Sequence, residues 1–415
     1  MSETTFLGSN LNLVKSHNQQ AILLHLLYDK QLSRIQLARK TSLSTTTITN
    51  LVAELVEQGI VAEVGTQNHE GQRKVGRPRT ALRLVPDARF TIGVHIGIGL
   101  VRVAVANLCA EIICNNIEYF SLDIPPTSVL DQIVFLIEQT ISQSGVERSR
   151  IIGVGVGASG LVNYQTGVNV LAPNLGWHSV PIKQHLENAL NLPTTVDNNV
   201  RAMAVGEAFF GLGRDVDSIA FVYGRVGVGA GFVFDGKVFR GSSTGAGEIG
   251  HMIMLPKGGE TCRCGNRGCL ETLVSEPVIV KQALLLAKKK PNSLLASYLT
   301  NNQNGSRPIE RIFEAARQGD TATCEMIQER AAYLGLALAN LVNMLNPDLI
   351  ILGGVFAQGQ DLILPTALKT LQETAFGHMG EKVRLQTTGF GWNAGVIGAA
   401  ALALINFFYY QAGQA

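Results

Sequence analysis

Three cysteines fall within one short stretch, Cys262-Arg263-Cys264-Gly265-Asn266-Arg267-Gly268-Cys269, and His251 lies upstream in Gly247-Glu248-Ile249-Gly250-His251. Three thiolates and one imidazole make a closed tetrahedral donor set for zinc. The alternative is a disulfide or buried free thiols, but Cys-x-Cys is too tight for an easy mutual bridge and Cys269 leaves one thiol over. His251, Cys262, Cys264 and Cys269 fill all four positions. No place remains for an activated water, and the expected zinc is structural. Glu248 and Glu271 bracket the set. Carboxylates beside a pinned loop suit a polyhydroxylated ligand, because they accept hydrogen bonds from hydroxyls. The same two acids could instead support the metal ligands from outside.

The remainder of the chain must position those groups. It has 415 residues, 46% hydrophobic and 16% charged, which predicts two or three globular domains with a large core. A net charge of +2 excludes a wholly basic nucleic-acid coat. The charge is uneven: residues 1–86 hold ten Lys and Arg against six Asp and Glu. A basic N-terminal module on a mildly acidic body points to a nucleic-acid partner for one end. Cys109, Cys114 and Cys324 stand in apolar contexts and are expected as buried thiols, which fits a reducing, cytoplasmic setting. Met1-Ser2-Glu3-Thr4-Thr5 lacks a basic-then-apolar signal pattern. The apolar run Val396–Tyr410 is short and holds Asn406, so a buried terminal helix is expected and no membrane insertion.

Within residues 1–86 the periodicity predicts a helix from His17 to Tyr28, a short helix capped by Ser33, and a third helix capped by Ser44. The third places Ile48, Leu51, Val52, Leu55 and Val56 on one face and ends at Gly59. This is a helix-turn-helix pattern. Thr45, Thr46, Thr49 and Asn50 then lie on the opposite face, where hydroxyls and an amide could read base edges or merely meet water. Ile60–Val64 and Thr80–Val85 read as two strands of a wing. Between them Gly71–Arg79 is basic and free of acids, with Arg77 and Arg79 placed to enter a narrow minor groove and Arg73 as a further DNA contact in the same loop. A winged helix-turn-helix with such a loop predicts binding to double-stranded DNA.

After Pro86 the texture changes to glycine-punctuated β-branched runs: Phe90–Gly97 with Leu100–Val105 as a hairpin, Ile151–Val156, Ile219–Tyr223, Gly227–Phe232 and Asp348–Leu352, with helical stretches such as Thr323–Leu345 between them. The class is α/β. Glycine loops at strand ends are either tight turns or anion cradles.

The metal motif, Gly-Glu-Ile-Gly-His, Asn-Pro-Asp-Leu-Ile-Ile-Leu-Gly-Gly and Asn393-Ala394-Gly395-Val396-Ile397-Gly398-Ala399-Ala400 together resemble the ROK family of sugar kinases and sugar-responsive repressors, over roughly residues 88 to 405. With the attached winged helix the chain resembles the branch that includes xylose and N-acetylglucosamine repressors. The resemblance implies an actin/hexokinase-like pair of lobes with sugar in the cleft. The expected division is a winged helix-turn-helix over 1–86, a small lobe over 87–200 completed by about 388–415, and a large lobe with the metal motif over 201–387. The resemblance places Glu248, His251 and Glu271 on the sugar, His251 serving metal and sugar alike, and the expected site also takes in Gly160, Asn174, Asn198 and Asn199.

Three departures from the kinases stand out. In Val196-Asp197-Asn198-Asn199 the family's catalytic base position holds Asn199, and an amide cannot take a proton from a hydroxyl. The kinases' Asp-x-Gly-Gly-Thr-Lys is His95-Ile96-Gly97-Ile98-Gly99-Leu100 here, and Arg225-Val226 replaces a Gly-Thr. The expectation is a non-enzymatic, DNA-binding regulator with a monosaccharide effector, acting as a homodimer or dimer of dimers. A bifunctional sugar kinase and a repressor released by a protein partner stay open as rivals.

Overall fold

The computed structural model describes residues 11–65, 80–242, 244–300 and 305–410. The N-terminal block holds helix α1 (Leu11–Asp29), strand β1 (Leu32–Ser33), α2 (Arg34–Thr41), α3 (Thr45–Glu57), β2 (Val61–Val64) and β3 (Ala81–Leu84). Its sheet runs β1-β3-β2, antiparallel throughout. Ser33 and Gln36 form a reciprocal capping box on α2. Ser42 turns left-handed at φ 57°, and the Ser44 hydroxyl accepts from Thr47 N at 3.0 Å to start α3. Ile48, Leu51, Val52 and Leu55 are buried against Ile22, Leu26 and Leu37. Val56, expected on that face, is 37% exposed: it sits in the last turn, where the chain is already leaving the core. Strand β1 was not foreseen, since two residues carry no alternation.

The first lobe follows as β4 (Phe90–Gly97), β5 (Leu100–Asn107), β6 (Ile112–Tyr119), α4 (Pro126–Ser144), β7 (Ile151–Ala158), a small antiparallel sheet of β8 (Leu161–Asn163), β9 (Val168–Ala172) and β10 (Trp177–Val180), then α5 (Ile182–Leu190), β11 (Thr194–Asn198) and α6 (Asn199–Phe210). The main sheet is ordered β11-β7-β4-β5-β6, with β4, β7 and β11 parallel. The second lobe repeats the plan with β12 (Ser218–Gly224), β13 (Val228–Phe234), β14 (Lys237–Phe239), α7 (Glu271–Val274), α8 (Glu276–Lys289), α9 (Leu294–Thr300), α10 (Pro308–Arg317), α11 (Thr321–Leu345), β15 (Leu349–Gly354), α12 (Val355–Gln358), α13 (Gln360–Thr374), α14 (Met379–Lys382) and β16 (Arg384–Thr387). Its sheet is ordered β14-β13-β12-β15-β16.

The chain then returns to the first lobe as α15 (Ala394–Leu404), every residue of which is buried, and continues through one π turn to Tyr409. Residues 391–409 are long and apolar enough to cross a membrane, yet more than half of them are buried inside the body. Gly155 lets α15 lie on β7, because a Cβ there would fall on the Ala399 carbonyl. At its far end Tyr409 donates to Leu108 O at 2.8 Å and joins Ile22, Leu26 and Leu404 in one apolar cluster. The N-terminal block is therefore welded to the body through α1. Cys109, Cys114 and Cys324 are half-buried, not buried as expected. Cys114 sits on β6, where successive side chains alternate between half-buried and exposed. Burial pushes the Cys109 thiol up to about 11.

Candidate functional site

Strands β7 and β11 run parallel with Ala158 opposite Asn198, so Ser159-Gly160 and the start of α6 emerge side by side. Ligand crevices in α/β sheets lie at such carboxyl ends. Asn198 caps α6: its side-chain oxygen accepts from Val200 N and Arg201 N at 2.9 and 3.2 Å, while its amide donates to Gly160 O at 2.9 Å. Asn199 donates to the Ser159 hydroxyl at 3.3 Å.

A cavity opens here between the lobes, and Gly160, Asn174, Asn198, Asn199, Glu248, His251 and Glu271 all line it. Glu271 begins α7 and accepts from Val228 N at 3.1 Å. Burial raises the Glu248 carboxyl above its ordinary range, opposed by His251 and Arg201. Asn174 accepts from Arg263 across the cleft mouth. Of the seven, Asn198 has its oxygen and one amide hydrogen committed within the protein, so it shapes the wall.

His251, Cys262, Cys264 and Cys269 bring their donor atoms within 4.8 Å of one another, a cluster that could hold a metal ion. Cys262 Sγ lies 3.6 Å from His251 Nδ1, and Cys264 Sγ lies 3.7 Å from Cys269 Sγ, far beyond a disulfide bond. The loop is shaped by Cys262 N donating to Asn266 O at 2.7 Å and by Gly268 at φ +72°, where any side chain would strike Leu255. Cys264 also lines the cavity, so the cluster is part of its wall.

Asp197, two residues before Asn199, is fully buried and committed to Arg201 at 2.7 Å and Arg240 at 2.9 Å. Arg201 donates onward to Thr244 O at 2.8 Å, tying α6 to the loop that carries Glu248. Sequence reasoning missed this network, and Ser159 and Arg263 too: Asp197 and Arg201 are an i,i+4 pair, but Arg240 lies 43 residues from Asp197 and Thr244 lies 43 residues from Arg201, and no periodic pattern links them. On α3, Thr45, Thr46, Thr49 and Asn50 are all exposed. The Thr49 hydroxyl donates to Thr45 O at 2.8 Å. Arg73, Arg77 and Arg79 lie outside the described residues.

A family model described as ROK family matches residues 91–405. The chain belongs to the ROK family. A winged helix-turn-helix DNA-binding model matches residues 15–62 ahead of it. The xylose repressor of Caldicellulosiruptor bescii is 29% identical over 395 residues, 95% of this chain and 97% of that protein. The glucokinase of Halalkalibacterium halodurans is 31% identical over 320 residues, 76% of this chain and 94% of the enzyme. Among solved structures, a ROK family transcriptional regulator, a homologue of the E. coli MLC protein, superposes with a TM-score of 0.81 at 28% identity, covering 96% of this chain and 99% of that one. The similarity to the kinase covers 76% of the chain, whereas the similarity to the regulators covers 95–96% of it and so takes in most of the winged helix.

Proposed function

We propose that this ROK protein is a sugar-responsive transcriptional repressor that binds a monosaccharide without phosphorylating it. One observation carries the reading. Glu248, His251 and Glu271 converge on an interlobe cavity whose base position is Asn199, in a chain that also presents the polar face of α3 to solvent. The two carboxylates supply charged acceptors for hydroxyls. His251 turns Nδ1 to the cysteines, leaving Nε2 for the ligand. Loss of a general base costs on the order of 10²- to 10⁴-fold in rate. Asp197 does not replace it, held as it is between two arginines.

The metal in this reading is structural zinc. Tetrahedral zinc with bonds of about 2.3 Å to sulfur and 2.0 Å to nitrogen sets donor separations of about 3.8 Å for S···S and 3.5 Å for S···N. The separations of 3.7 and 3.6 Å fit that frame. Zinc would fix the loop that carries Cys264 and the approach to Glu271, and no step of chemistry passes through it.

The signal would travel along α6. Its first residue, Asn199, faces the cavity, and its last residues, Phe209 and Phe210, pack on Tyr410 and Tyr409 at ring separations of 5.9 and 6.2 Å. Leu24 and Tyr28 of α1 join that cluster. A sugar that favours one lobe arrangement would shift α6 and, through α1, the seating of α3 on DNA. The body would divide with the whole of α6 in the first lobe, past the expected boundary at residue 200, and with α15 completing that lobe. Two copies would space their α3 helices about 34 Å, or a multiple of it, apart to meet an operator.

Calorimetry with xylose, glucose and N-acetylglucosamine tests the reading, alongside operator binding and a coupled ATP assay. Heat from one sugar, release from the operator and no sugar phosphate are expected. The glucokinase similarity favours a second reading, a bifunctional kinase, and steady ATP turnover with sugar would establish it. No heat from any sugar would favour release by a protein partner.

A further inference from the structure

Arg240 does more than pair with Asp197. It follows β14, in the second lobe, and its guanidinium carbon lies 3.8 Å from the centre of the Tyr164 ring, in the turn between β8 and β9 of the first lobe. The Tyr164 hydroxyl donates to Asn406 Oδ1 at 2.6 Å, across 242 residues of chain. The Asn406 amide donates in turn to Leu402 O at 2.7 Å. Asn406 belongs to the π turn Ile405–Tyr409 at the end of α15. That turn carries contacts of the body with the DNA-binding block. Tyr409 shares one apolar cluster with Ile22 and Leu26, and Ile405 and Tyr410 share another with Leu24 and Tyr28. Arg240, Tyr164 and Asn406 thus join a loop of the second lobe to the seat of α1, and Arg240 opens the same loop that carries Glu248.

A π turn widens the helix that it interrupts, and such turns gather at functional sites. Here Tyr410 N donates to Ile405 O at 2.8 Å, five residues back. Phe407 is seated against Gly153 of β7, where a Cβ would fall 2.4 Å from its ring. The Asn406 side chain gives Leu402 O a donor from within the widened turn, and the Tyr164 hydroxyl orients that side chain. Returning the turn to α-helical winding would rotate the residues beyond it by about 100°. Tyr409 would then leave Leu108 O, to which it donates at 2.8 Å, and α1 would lose its seat. A cation on the ring face fixes the Tyr164 phenol, whereas an uncovered phenol regains rotamer freedom. We propose that this π turn is a two-state element between the body and the DNA-binding block, and that Tyr164 holds it wide while Arg240 covers the Tyr164 ring. Lobe movement that draws Arg240 away frees Tyr164 and lets the turn rewind. The inference rests on the sugar-responsive reading and gives it a second route to α1, beside α6.

The test compares the full chain with Tyr164→Phe, Asn406→Ala and the double variant. Tyr164→Phe leaves a ring beneath Arg240 and removes only the bond to Asn406. The readouts are hydrogen exchange of the amides of residues 403–410, and operator affinity with and without xylose, glucose and N-acetylglucosamine in turn. Each single variant should speed that exchange by about tenfold or more. Each should also shrink the sugar-induced change in operator affinity by about fivefold or more, while the sugar affinity of the DNA-free chain stays within about twofold. The double variant should go no further than either single one, since both remove the same bond. Should Asn406→Ala fail to fold, Tyr164→Phe decides alone. Exchange and operator response equal to those of the unmodified chain overturn the proposal. So do additive effects of the two changes, or a loss of sugar affinity as large as the loss of operator response, which marks a merely structural role. If the unmodified chain responds to no sugar, the repressor reading falls, and the exchange rates alone decide whether Tyr164 holds the turn.

Discussion

Helices α6 and α15 cross at Gly206 and Gly398, and the two glycines are not equivalent. A Cβ on Gly398 would lie 2.5–2.6 Å from Ala202 O, Ala202 C and Met203 N, all backbone atoms of α6. Ordinary contact begins at 3.4 Å, so Gly398→Ala must drive α6 back by about 0.8–0.9 Å, and no side-chain rotation can relieve it. A Cβ on Gly206 would meet Gly398 Cα at 3.1 Å, which a few tenths of an ångström relieve. Alanine gains about 1 kcal/mol over glycine in a helix interior at either site. Overpacking costs about 1–3 kcal/mol, and an immovable backbone contact belongs at the upper end. The net expectation is a loss of about 2 kcal/mol for Gly398→Ala and roughly no loss, or a small gain, for Gly206→Ala. At an unfolding entropy of about 2.1 cal/mol/K per residue, the first should lower Tm by about 2–3 °C. Since α6 begins with Asn199 and ends against the aromatic cluster beneath α1, Gly398→Ala should also weaken sugar binding and blunt operator release. Scanning calorimetry and operator titrations with and without sugar read both effects. Equal melting temperatures for the two variants, or a full sugar response in Gly398→Ala, would refute the argument.

Cys264→Ala should reduce bound metal from about one ion per chain and lower the stability of the body, read by metal analysis and thermal melting. Asn50→Ala should cost about 1–3 kcal/mol in operator affinity and relax preference at one base pair, whereas removing residues 1–86 should abolish operator binding. Burial raises the Glu207 carboxyl above its ordinary value of 4.5, outweighing its bonds from Thr388 and Leu212. A raised folded-state pKa means that the native state holds this proton more tightly, so its contribution to stability is full below 4.5 and is lost as pH rises through the folded value. Denaturation against pH should show that loss in the unmodified chain and a flatter profile in Glu207→Gln.

The metal cluster was legible because its four donors are chemically distinctive and lie within a short span of chain. The wing and the buried strands were legible because apolar alternation and runs reflect burial directly. The docking of α1 on the body was not. Its contacts join Leu26 and Tyr28 to Leu404 and Tyr409, nearly the whole chain apart, and each residue alone reads as ordinary core. The Asp197–Arg201–Arg240 network was hidden differently: Asp197 and Arg201 are only an i,i+4 pair, but Arg240 lies 43 residues on, and only packing shows the acid spent on two arginines. Asn198 was expected on the sugar, yet its cap on α6 is a local need that any helix beginning there would have.

These placements bear on how a kinase-like body can work as a switch. Moving a two-state equilibrium from 99:1 to 1:99 needs about 5.5 kcal/mol of differential binding. Hydrogen bonds to charged groups contribute about 1.5–3 kcal/mol each. On the proposed reading, one carboxylate therefore cannot drive the transition, but Glu248 and Glu271 with His251 can, provided that one lobe arrangement engages all three. A catalytic base would add nothing to that difference. What the switch does need is a rigid connection from the cavity to the DNA-binding block. The buried arginine network fixes α6 to the Glu248 loop, the glycine crossing fixes it to α15, and the aromatic cluster fixes its far end to α1. On the proposed reading, ligand-linked motion needs those three attachments and the ligand's acceptors, and no base at position 199.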